Sequence, residues 1–116
     1  MRLNTTLYDY LDYRAFVRDS VERKKEENPA FSYRSVAYRM GCNPGFFNKV
    51  LKGERNLSPE HVLKLSSILK LKTQEKKYFE LLVLFNQAKK QMEKDHYFEQ
   101  LHIFRKTKVK KVPMRQ

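Results

Sequence analysis

The chain has one cysteine, three glycines and four prolines in 116 residues. A single thiol, Cys42, excludes an intramolecular disulfide, and with His61, His96 and His102 scattered along the chain it builds no Cys/His zinc site. Cys42 reads instead as a small buried hydrophobe. So little glycine and proline excludes a loop-rich or low-complexity protein. No apolar run approaches the roughly 18 residues of a membrane-spanning helix, and the opening MRLNTTLYDYLDYRAF lacks the apolar core of a secretory signal. The expectation is a cytoplasmic protein with no membrane partner. Gly-rich phosphate loops, nucleophile motifs and cofactor fingerprints are missing as well. The carboxylates Glu75, Glu80, Glu93, Asp95 and Glu99 alternate with lysines at helical spacing, as on solvated helix faces. No enzyme, metal or cofactor is expected.

What is present is a hydrophobic fraction of 41% with 13% aromatics, enough for one core in a chain of single-domain length. The charge is lopsided, at +12 with a pI near 9.9, and its distribution along the chain is more informative than its size. Residues 1–31 carry six basic and six acidic groups, and residues 73–104 carry five and five. Residues 32–72 carry eight and two, and residues 105–116 six and none, so these two segments hold the whole excess. Solubility gives no reason to balance two stretches and bias two others, whereas a polyanion gives one.

Periodicity and capping signals predict an all-α bundle of five or six helices over residues 1–104, followed by a basic, flexible tail over 105–116. A long first helix is expected from Leu7 to Asn28, opened by Thr6 and stopped before Pro29. The second runs from Tyr33 to Met40 behind the cap Ser32 and ends at Gly41. Asn43 and Pro44 open the third, which ends at Gly53, and Ser58-Pro59 repeats the device for the fourth. The fifth is expected from Gln74 to Lys90 and the sixth from Glu93 to Phe104. Tyr78 to Phe85 is apolar around nearly the whole circumference of the fifth helix. That helix is either the centre of the core or a surface for self-association. The second reading assigns Phe79, Leu82, Leu84 and Phe85, with Phe98 and Leu101 of the sixth helix, to a homodimer interface.

Residues 33–52, YRSVAYRMGCNPGFFNKVLK, place two short helices around one glycine. Ala37 is small where the helices cross, Gly41 suits a turn with positive φ, and Val36, Met40, Cys42, Phe47 and Val50 fall on inward positions. This segment, with Lys52-Gly53-Glu54-Arg55-Asn56-Leu57-Ser58-Pro59 and the helix after it, resembles the Cro/repressor, or xenobiotic-response-element, type of helix-turn-helix. YLDYRAF, FSYRSVA, KGERNLSPE and YFELLVLFNQAK resemble more narrowly a family of predicted bacterial regulators in which this unit precedes a longer helical region. The resemblance implies a sequence-specific regulator of transcription that lays the second helix of the pair in the major groove of double-stranded DNA.

Carried onto this chain, the resemblance places Asn43, Gly45, Phe46, Asn48 and Lys49 near base edges. Asn48 suits adenine, Lys49 suits guanine, and Phe46 either meets a thymine methyl or is an aromatic of the core or an interface. Lys52 and Arg55 would reach phosphates. Tyr33, where relatives often have glutamine, and Arg34 would touch the DNA backbone. Lys106, Lys108, Lys110 and Lys111 belong either to an arm that tracks phosphates or to a solvated end. The alternative function is a protein-interaction module that keeps the helix-turn-helix as a scaffold and docks a protein partner on its apolar helices.

Overall fold

The computed structural model describes residues 6–110, with side chains through residue 107, and the described chain is helical with no strand. The first expected helix is divided. A 3-10 turn over Leu7–Asp9 is followed by α1, Tyr13–Glu27. Asp12 starts α1 by accepting a hydrogen bond from the Arg14 amide at 3.0 Å. Groups from far along the chain satisfy the backbone exposed at the break. The Tyr78 hydroxyl donates to the Tyr10 carbonyl at 2.9 Å, and Asn86 accepts from the Tyr13 amide at 2.7 Å and donates to the Leu11 carbonyl at 2.9 Å. An unpaired buried backbone group costs about as much as a lost hydrogen bond, so these contacts make the break tolerable.

The next three helices follow the capping signals. α2 spans Tyr33–Met40, α3 Pro44–Leu51 and α4 Pro59–Ile68. Ser32, Asn43 and Ser58 each accept a hydrogen bond from an amide three residues on, an arrangement that stabilises a helix by about 1 kcal/mol. All three helices end with one pattern. Gly41, Gly53 and Lys70 take left-handed backbone angles, with φ of 83°, 88° and 58°. The amide after each reaches back five residues, as Cys42 to Ala37, Glu54 to Lys49 and Leu71 to Ser66. Glycine adopts that conformation without a Cβ clash, which accounts for the first two positions.

α5 covers Thr73–Gln87 and α6 Gln91–Lys110. α5 packs on α6, α4, α1 and the 3-10 turn, so its apolar circumference is met from several sides by its own chain. Tyr78, Phe79, Leu82 and Val83 are buried there, as is Leu101 of α6. The Phe85–Phe98 and Tyr78–Phe104 ring pairs, with centroids 5.7 and 5.6 Å apart, show that α6 runs antiparallel to α5. α6 also continues past Phe104, so residues 105–110 are helical rather than a flexible tail. No breaker occurs before Pro113, and cations suit the negative end of the helix dipole. Among the described residues no helix is long and apolar enough to cross a membrane.

Candidate nucleic-acid interface

α3 is eight residues long and divides into two faces. Phe47, Val50 and Leu51 are buried, while Gly45, Asn48, Lys49 and Lys52 are exposed. The exposed set recurs at i, i+3, i+4 and i+7, which is one continuous stripe on a helix of 3.6 residues per turn. The stripe therefore offers an amide side chain and two lysines on a rigid rod backed by the core. Arg55, in the loop beyond, and Arg34, in the first turn of α2, are exposed as well. Tyr38 lies one turn beyond Arg34 and is 59% exposed. Its place outside the Val36, Ala37 and Met40 stripe is the sequence signal for that exposure.

Three of the residues assigned to DNA have their chemistry partly committed elsewhere. Asn43 is exposed, but its Oδ1 accepts from the Phe46 amide at 2.7 Å, which holds the side chain at the start of α3 and uses one of the two lone pairs of that oxygen. Phe46 is half-buried, with its ring 5.4 Å from that of His61, so much of its surface packs within the protein. Tyr33 requires a correction. Its hydroxyl donates to the Glu22 carboxylate at 2.8 Å and its ring packs against Phe47. Burial and the Glu22 bond push its pKa up to about 12. A phosphate offers only acceptors, and the single phenolic proton is already held beside a negative charge.

The loop that presents Lys52 and Arg55 is fixed from two directions, by residues that composition alone does not single out. On α1, Arg14 donates from Nε to the Val50 carbonyl at 2.6 Å and from a terminal nitrogen to the Arg55 carbonyl at 3.1 Å. Arg18, one turn on, donates to the Leu51 carbonyl at 2.6 Å. The Val50 and Leu51 carbonyls lie at the negative end of α3, where cations are favoured. From α5, Gln87 accepts from the Leu57 amide at 2.8 Å and donates to the Leu57 carbonyl at 3.1 Å, and it also accepts from the Tyr13 hydroxyl at 2.7 Å. The i,i+4 spacing of Arg14 and Arg18 is the only sequence trace of the clamp. Their partners lie 33 to 41 residues away.

The basic end of α6 is not beside α3. It leaves the fold next to Tyr8 and Tyr78, against whose rings Phe104 packs, whereas the α3 loop meets Gln87 at the other end of α5. Gln87 is the ninth residue after Tyr78, about 13 Å along a helix rising 1.5 Å per residue, and α6 runs on in the opposite direction. Lys106 is exposed there. The side chains of Lys108 and Lys110, and all of Lys111, lie outside the described residues.

The expected dimer interface also needs correction. Phe79, Leu82 and Leu101 are fully buried in the chain's own core and present nothing to a second copy. Leu84 and Phe98 are 40% and 44% exposed, and the half-buried Phe85 is in contact with Phe98. Cys42 is partly buried beside the core, and burial raises its thiol above the ordinary range, which disfavours a reactive thiolate. Among the described residues no group of three His, Cys, Asp or Glu side chains could hold a metal ion. Comparison of the chain with protein-family models, with curated proteins and with solved structures finds no match.

Proposed function

We propose that the protein is a transcriptional regulator of the Cro/repressor helix-turn-helix type, binding double-stranded DNA with α3 in the major groove. The observation that carries this reading is the exposed α3 stripe of Gly45, Asn48, Lys49 and Lys52, held on a clamped helix in a segment with eight basic and two acidic groups. A rigid cationic helix face about 12 Å long fits a groove of similar width. Asn48 and Lys49 are the base readers, Lys52, Arg55 and Arg34 meet phosphates, and the α6 end supplies a separate cationic patch. The regulator acts as a homodimer through Leu84, Phe85 and Phe98, so its site has two related halves. Selection from a random duplex pool tests this: a preferred, two-fold-related site is expected, with Asn48→Ala and Lys49→Ala each relaxing one base position by about 1–3 kcal/mol. Equal losses on every duplex would remove both residues as readers.

One observation favours a protein-interaction module instead. An apolar groove of about 270 Å³ lies between α4 and α5, walled by Val62, Leu63, Val83 and Leu84, and Leu63 is 69% exposed. Under that reading Leu63→Asp abolishes function and leaves duplex binding unchanged.

A further inference from the structure

The third helix ending in the fold breaks a pattern that the first two set. α2, α3 and α4 close with the same hydrogen bonds, yet the left-handed residue is glycine at 41 and 53 and lysine at 70. Among the described residues Lys70 is the one non-glycine residue with positive φ. Such a conformation carries strain, and strained residues concentrate where a side chain is needed.

Lys70 sits at the junction of two cavities. One, of about 330 Å³, lies between α1 and the α4–α5 link and is lined by Ser20, Arg23, Lys24 and Lys70, with Phe16 and Leu71 as apolar wall. The other, of about 270 Å³, shares Lys24 and Lys70 and adds Arg39. Three cations, Arg23, Lys24 and Lys70, thus line the first cleft. Glu27 and Glu75 also line it, but no ion pair joins any of the three to a carboxylate among the described residues, and Glu75 already accepts from the Lys72 amide. Ser20 is 4% exposed, and its hydroxyl has no hydrogen-bond partner among the described residues. A buried hydroxyl without a partner is costly unless something else satisfies it.

We propose that this cleft binds a small soluble phosphate monoester. Lys70, Lys24 and Arg23 neutralise the phosphate, the Ser20 hydroxyl donates to one of its oxygens, and the organic part lies on Phe16 and Leu71. A phosphate matches the cleft because its three cations outnumber its two carboxylates and are held by no ion pair among the described residues, and the volume matches a small metabolite rather than a polymer. The site is independent of DNA binding by α3.

The test is amide chemical-shift mapping of the full chain, at constant ionic strength, with inorganic phosphate, glycerol 3-phosphate and glycerol. Saturable shifts at Ser20, Lys24, Lys70 and Leu71 are expected with both phosphates and not with glycerol. Lys70→Gly removes the strain and the cation together, so it should raise Tm while weakening glycerol 3-phosphate binding by about 10-fold or more. Lys24→Gln, which leaves the backbone alone, should weaken it comparably. Unsaturable shifts spread over Lys52, Arg55 and Lys106 would overturn the proposal, as would Lys70→Gly that binds like the wild type. A short duplex that shifts the cleft amides more strongly than glycerol 3-phosphate would overturn it too, by making the cleft part of the nucleic-acid surface.

Discussion

Replacing Arg14 by alanine removes one side chain that makes several contacts at once. Its guanidinium donates to the Val50 and Arg55 carbonyls and, at 3.3 Å, to the Asn56 side chain, and it lies 4.6 Å from the centre of the Tyr13 ring. A hydrogen bond from a charged donor contributes about 1.5–3 kcal/mol, the helix-end charge about 0.3–1, and a partly exposed cation over an aromatic ring about 0.5–1. These terms overlap, and water reaches the half-buried site and re-solvates the released carbonyls. The net cost should be about 2–3 kcal/mol, a drop in Tm on the order of 10 °C for a chain of this length. Arg14→Lys keeps the charge and loses the planar fork, so it should recover about half. Urea unfolding at constant m-value measures both. Duplex affinity should fall as well, although Arg14 is not on the α3 stripe, because the loop carrying Lys52 and Arg55 loses its anchor. A loss under about 0.5 kcal/mol in Arg14→Ala, or a lysine variant as stable as the alanine one, would refute the clamp.

Placing a charge at Leu82, which is fully buried, should cost more than about 4 kcal/mol and unfold the protein. Leu84→Asp should leave it folded and shift sedimentation from dimer to monomer; a monomeric wild type at micromolar concentration would remove the interface. Alkaline pH should destabilise the fold, because burial holds the Tyr13 and Tyr33 hydroxyls at pKa values of about 12, helped at Tyr33 by Glu22, against an ordinary 10. The unfolded chain gives up those protons first, so their contribution is complete below pH 10 and declines toward pH 12, for buried Tyr13 by at most about 1.4 kcal/mol per pH unit. Urea midpoints at pH 9 and pH 11 would show the decline, and Tyr33→Phe should make it shallower.

The helix ends from Ser32 to Pro59 were legible in the sequence because each is decided locally, by a capping side chain, a proline that fits the first turn, or a glycine free to turn left-handed. The break at Tyr10 to Asp12 was not. It depends on Tyr78 and Asn86, whose side chains meet that backbone only after α5 has packed on α1. The apolar ring of α5 was visible, but its meaning depends on how many neighbours surround it, and the 3-10 turn that covers its start is a non-local contact. The α6 extension had a legible sign, since the first breaker after Phe104 is Pro113, yet the density of positive charge pointed toward an arm. Of the candidate site, the exposed α3 stripe follows from the 3.6-residue period. The commitment of Tyr33 to Glu22, and of Arg14 and Arg18 to the α3 carbonyls, follows from tertiary contacts that no spacing rule reports.

Phosphate neutralisation by residues 33–55 is measured by the salt dependence of duplex affinity. If about six phosphates are neutralised, log K against log of salt concentration should fall with a slope of about −5, and replacing the phosphate-contacting Arg34, Lys52 and Arg55 together by alanine should make it shallower by about 3. A flat wild-type slope, or a triple variant with the wild-type slope, would contradict the assignment of α3 to DNA.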